Sequence, residues 1–91
     1  MTYRLIFTDQ YDRRARKFLK GHPDLKSNYL KTLRLLEANP FHPSLRLHRL
    51  SGKLDGLYSV SITLSYRITL EFMISNEEIV PLNVGDNEAV Y

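Results

Sequence analysis

Three side chains in this sequence have types suited to chemistry on an anionic ligand: Arg67, His48 and Tyr91. Arg67 lies within SYRITLEF, residues 65–72, and is the only cation of the last 38 residues. A guanidinium set apart among acids suits a phosphate, because its planar fork donates two hydrogen bonds at once. The structural alternative is a salt bridge to Glu71, four residues along the same strand and so on the same face. His48 lies in RLHRL with Arg46 and Arg49 around it. Cationic neighbours favour the neutral imidazole, whose lone pair can accept a proton as a base, although a plain surface histidine fits the same pattern. Tyr91 ends the sequence and would bring a phenol and an α-carboxylate to one place, unless it frays or packs on the sheet. His22 and His42 each precede a proline in turn-like segments, where local packing accounts for them.

Other chemistries are excluded or disfavoured. The sequence has no cysteine, which removes disulfides, thiolate zinc sites and Cys nucleophiles. It also has no Gly-rich phosphate loop, HExxH pair, GxSxG elbow or closely spaced His/acid cluster, which argues against nucleotide, metal and triad chemistry. No metal and no cofactor are expected.

Charge is divided along the chain. Residues 1–53 hold twelve of the thirteen Lys and Arg and four acids, a sum of +8; residues 54–91 hold Arg67 and six acids, a sum of −5. The division suggests a basic surface for a polyanion, or else a solvated basic helix face. The start, MTYRLIFTDQYD, has one basic residue and an apolar run of three, so it fits neither a signal peptide nor a membrane span, and a cytoplasmic protein is expected.

These residues need elements to position them. Residues 2–8 alternate as a first strand; Asp9 to Lys20 turns helical, with Thr8 or Asp9 to cap it and Gly21 to end it. A second helix runs from Pro23–Asp24 to a stop at Asn39–Pro40, with a stripe of Leu25, Tyr29, Leu33 and Leu36 widened by Leu30. The short connection predicts an antiparallel helix pair. A short strand is expected around Leu45 to Leu50, followed by a hairpin with one apolar face (Tyr58, Val60, Ile62; Ile68, Leu70, Phe72) and one polar face open to a ligand. A three-residue loop, Leu64 to Tyr66, would oppose Thr63 with Arg67, Ser61 with Thr69, and Val60 with Leu70. The last strand, residues 79–84, contains Pro81, a hint of an edge or bulge. Residues 1–91 thus read as one α+β domain of two layers: an N-terminal strand, a helix pair, then a three- or four-strand antiparallel sheet.

The order strand, helix pair, LHRLSGKLDGLYSVSI, YRITLEF, LNVGDNEAVY resembles the RelE/ParE superfamily of small bacterial toxins, and particularly its RelE and YafQ-like branches. The resemblance covers nearly the whole chain; its most specific parts are the HxLxGxxxG(L)Y segment, the Tyr-Arg opening the next strand and the terminal G...VY. It implies a RelE-like fold and a toxin neutralised by an antitoxin encoded beside it. For the RelE and YafQ branches it implies a ribosome-dependent endoribonuclease that cleaves mRNA in the A site by 2′-hydroxyl attack. Arg67 then matches the arginine used on the scissile phosphate, His48 a histidine of YafQ-like toxins and Tyr91 the late tyrosine of RelE. Ser59 and Ser61 stand where RelE has two lysines and, at the latter, YafQ a histidine. Asn87 stands with Asp86 where relatives often carry Arg or His. The implied site is catalytic Arg67, His48 and Tyr91, with Arg46, Arg49, Lys53, Ser59, Ser61 and Asn87 on RNA and the basic helices on ribosomal RNA. The implied partners are a cognate antitoxin, the ribosome and mRNA, with no membrane. Two other functions share the resemblance: a ParE-like inhibitor of DNA gyrase, which the absent lysines make credible, and a degenerate toxin that only binds its antitoxin.

Overall fold

A computed structural model describes residues 2–86 of the chain. Its elements run β1 (Arg4–Leu5), α1 (Asp9–Gly21), α2 (Lys26–Ala38), β2 (His48–Arg49), β3 (Tyr58–Ser61), β4 (Tyr66–Met73) and β5 (Glu78–Asp86). One five-stranded sheet has the order β1-β5-β4-β3-β2. The four antiparallel strands β2 to β5 form the expected meander, but the sheet has five strands rather than three or four. β1 joins it in parallel, with Arg4 opposite Glu78 and Leu5 opposite Ile79. Because β1 is so short, two anchors hold it: the Arg4–Glu78 ion pair and a bond from the Tyr3 N–H to the Glu37 carbonyl at the end of α2, 2.8 Å.

The helices cover one face of the sheet. Thr8 caps α1 with its Oγ1 accepting from the Tyr11 N–H at 3.1 Å, and α1 presents Tyr11, Ala15 and Phe18 to the core. α2 follows after a single tight turn, Pro23–Leu25, and presents Tyr29, Thr32 and Leu36. Val60, Ile68, Leu70, Ile79 and Val84 meet them from the sheet. Leu30 does not widen the stripe as expected. It is 39% exposed, while Thr32 is buried and bonds its hydroxyl to the Asn28 carbonyl at 2.8 Å. The inward face is the i, i+3, i+7 row of Tyr29, Thr32 and Leu36, which turns position 30 toward solvent. Between the helices the Tyr11 and Tyr29 hydroxyls share a buried hydrogen bond of 2.8 Å.

The hairpin register differs from the expected one. Val60 pairs with Ile68, Ser59 with Thr69 and Ser61 with Arg67. The Ile62 and Thr63 N–H groups both donate to the Tyr66 carbonyl, at 2.8 and 3.3 Å, which closes a loop over residues 62–65. A slip of two residues leaves every side chain on its face, so alternation cannot detect it; the loop's hydrogen bonds decide. Pro81 does mark a bulge: Thr69 opposes Asn83 while Leu70 opposes Pro81, which leaves Leu82 as the extra residue. The Leu82 carbonyl accepts from Arg14 Nη1 at 2.8 Å, tying the bulge to α1. Among the described residues no helix is long and apolar enough to cross a membrane.

Candidate functional site

The site is built on the three strands β2, β3 and β4. His48 opposes Ser59, which opposes Thr69; one step along, Ser61 opposes Arg67. Alternation puts His48, Ser59, Ser61, Arg67 and Thr69 on the face away from the helices. Opposite Arg67 on β5 stands Gly85, which brings no side chain to crowd the guanidinium.

His48 is aimed by the turn before it. Expected as part of a strand from Leu45, this segment instead forms a helical turn at Pro43–Leu45, and β2 is confined to His48–Arg49. His42 caps that turn, its Nδ1 accepting from the Ser44 N–H at 3.2 Å. Arg46 then takes the left-handed conformation, φ 51° and ψ 44°, which reverses the chain into β2. A non-glycine residue there is strained, and such strain persists only where its surroundings enforce it. The reversal places the Arg46 carbonyl 3.1 Å from His48 Nδ1. A carbonyl only accepts, so Nδ1 carries the proton. The other nitrogen, Nε2, lies 3.3 Å from Arg67 Nη1. A guanidinium only donates, so Nε2 presents its lone pair and the imidazole is neutral. Both bonds therefore select one tautomer, the form that can receive a proton at Nε2.

Arg67 and His48, 19 residues apart in sequence, are thus in direct contact. Among the described residues the ion pairs are Arg4–Glu78 and Arg49–Asp55, so Arg67 is not a partner of Glu71. Arg46, Arg49 and Lys53 are exposed on the β2 side of this pair. Ser59 and Ser61 are in the site's rows but buried, at 0% and 8% exposure, and Thr69 is 3% exposed. Among the described residues the hydroxyls of Ser59 and Thr69 find no hydrogen-bond partner. The polar face is therefore closed at its centre and opens at His48 and Arg67. Asn87 and Tyr91 lie outside the described residues. His22 packs as expected, its ring 4.8 Å from those of both Phe18 and Tyr66.

The resemblance put His48 and Arg67 in one site, but nothing in the sequence signalled their direct contact, which depends on the register of two hairpins and on the reversal at Arg46. The bulge anchor, Arg14, likewise read only as one of several helix cations.

No protein-family model and no curated protein matches the chain. Solved structures do. YafQ from E. coli strain BL21(DE3) superposes with a TM-score of 0.72 at 17% identity, over 98% of both chains. A chain of the E. coli DinJ-YafQ toxin-antitoxin complex matches at 0.78 and 15% identity, over 100% of this chain and 99% of its own. The YoeB/ParE toxin from Agrobacterium tumefaciens matches at 0.73 and 15%, over 92% and 98%. The chain has the fold of the RelE/YoeB/YafQ toxins, along its full described length.

Proposed function

We propose that this chain is the toxin of a toxin-antitoxin pair and cleaves mRNA in the ribosomal A site, in the cytoplasm, under control of a cognate antitoxin. The observation that carries the reading is the His48–Arg67 pair on a toxin fold, with His48 in the tautomer a base requires. The similarity to a toxin-antitoxin complex supports an antitoxin partner.

Attack by a 2′-hydroxyl on the adjacent phosphate forms an O2′–P bond and breaks the P–O5′ bond. It needs a base for the 2′ proton, a donor for charge developing on the phosphorane, and a proton for the leaving 5′ oxygen. His48 Nε2 receives the 2′ proton. Arg67 carries five N–H donors and grips the phosphate oxygens beside it. As His48 becomes imidazolium, its Nε2–H no longer accepts from Arg67, which turns both groups toward the phosphorane. Tyr91 completes the proposed catalytic set by giving its phenol proton to the leaving 5′ oxygen, and exposed Arg46, Arg49 and Lys53 with Asn87 are the proposed RNA contacts; Ser59 and Ser61, buried here, join them only if RNA binding uncovers them.

Primer extension on a defined mRNA, with and without 70S ribosomes, tests the reading. A-site cuts that need ribosomes and disappear with Arg67→Ala are expected. Uncut mRNA together with inhibited gyrase supercoiling would replace the nuclease with a ParE-like inhibitor; growth unaffected by the chain expressed alone would point to a degenerate toxin.

A further inference from the structure

We propose that the cleft outside β2 is a subsite for one nucleotide of single-stranded RNA, next to the phosphate held by Arg67. The inference rests on the nuclease reading above and gives it a substrate-positioning element. The cleft has a volume of about 400 Å³ and is lined by His48, Arg49, Leu50, Ser51, Lys53 and Leu54. That volume falls in the range of small-ligand sites. His48 is a wall of both the cleft and the candidate catalytic pair, so a chain lying in one continues into the other.

The lining has two chemistries. Leu50, 8% exposed, and half-buried Leu54 give an apolar surface for a base. Arg49 and Lys53 are exposed cations that complement its phosphate. Arg49 is paired with Asp55 at 3.7 Å, with both side chains largely exposed. Such a pair contributes little in water, so Arg49 can exchange it for a phosphate oxygen.

The backbone adds a third feature. The Leu50 N–H donates to the Leu57 carbonyl at 2.8 Å, so residues 48 and 50 direct their peptide groups toward β3. Arg49, between them, directs its N–H and C=O the other way. β2 is the last strand of the sheet, so these groups face the cleft side and offer a donor and an acceptor to a base edge. The turn that forms the opposite wall is set by Gly52 at φ +69° and Gly56 at φ +93°, conformations that other residues adopt only with strain.

The experiment is an amide chemical-shift titration of the full chain with a nuclease-resistant 2′-O-methyl trinucleotide, repeated on Lys53→Ala and Leu54→Ala. Saturable shifts at residues 48–54 are expected, with Kd raised about threefold to tenfold by each substitution as a phosphate or base contact is lost. The spectra themselves report whether each variant is folded. Shifts confined to the basic face of α1, with residues 48–54 unmoved, would overturn the subsite. The outcome is separable from the nuclease reading. Binding at 48–54 by a protein that leaves ribosome-bound mRNA uncut keeps the subsite and removes the nuclease; A-site cutting with an unmoved cleft does the reverse.

Discussion

At His48 the direction of two hydrogen bonds decides what the side chain can do, and that direction follows from partners whose roles are chemically fixed, a carbonyl and a guanidinium. His48→Gln removes the base without removing bulk. Single-turnover cleavage should fall about 10²- to 10⁴-fold, while thermal stability of this exposed position hardly changes. Arg67→Lys should fail to restore Arg67→Ala, since an ammonium is a point charge without the fork. A second pair of predictions concerns the buried hydroxyls. Ser59 and Thr69 hide polar atoms without partners among the described residues, a cost of about 1–3 kcal/mol each. Thr69→Val and Ser59→Ala should therefore raise the urea midpoint; Ser59→Ala that also lowers cleavage would show that its hydroxyl is used by the RNA-bound state. The sequence made the types at 48 and 67 legible as base and phosphate donor, but not their contact. Nor did it show that the serines would be buried, because alternation gives a side chain's face and not its exposure.

Among the elements, both ends of α1 and the end of α2 were legible nearly to the residue because their signals are local: Thr8 as cap, Gly21 as the end of α1, Asn39–Pro40 as a stop. The start expected at Pro23–Asp24 is instead a separate turn, Pro23–Leu25, and α2 begins at Lys26. Thr8→Ala should cost about 1 kcal/mol in urea denaturation. The hairpin was legible in its faces and not in its register, since Ser61 opposite Arg67 and Thr63 opposite Arg67 satisfy the same alternation. The helix pair also carries a pH dependence. Burial, first of all, pushes the Tyr11 and Tyr29 phenols above their ordinary 10.0. In the unfolded chain both ionise near that value while the folded chain keeps them neutral. The stability they confer is thus fully present below pH 10.0 and is lost above it, at up to about 1.4 kcal/mol per pH unit for each tyrosine. Urea midpoints measured from pH 9 to 11 should fall across about pH 10, and less steeply in Tyr11→Phe.

On the scale of the whole molecule, two features set the behaviour: one layer of helices rich in exposed cations, and a sheet whose outer face is closed at Ser59 and Thr69 and open at His48 and Arg67. The charge division was plain in the sequence, and so was a first strand, whereas its joining the sheet beside β5 was not. β1 has two paired residues, and what holds it, the Arg4–Glu78 pair and the Glu37 carbonyl, comes from distant parts of the chain. If Arg13, Arg16, Lys17 and Lys20 meet RNA backbone, ribosome association should weaken about tenfold or more between 50 and 200 mM salt, as counterion release requires. The most direct test of the account is the chemistry of the cut end. Mass spectrometry of mRNA fragments released from 70S complexes should find a 2′,3′-cyclic phosphate at the A-site cut, absent with Arg67→Ala. Fragments ending in a 3′-hydroxyl, or intact mRNA from the folded wild-type protein, would contradict it.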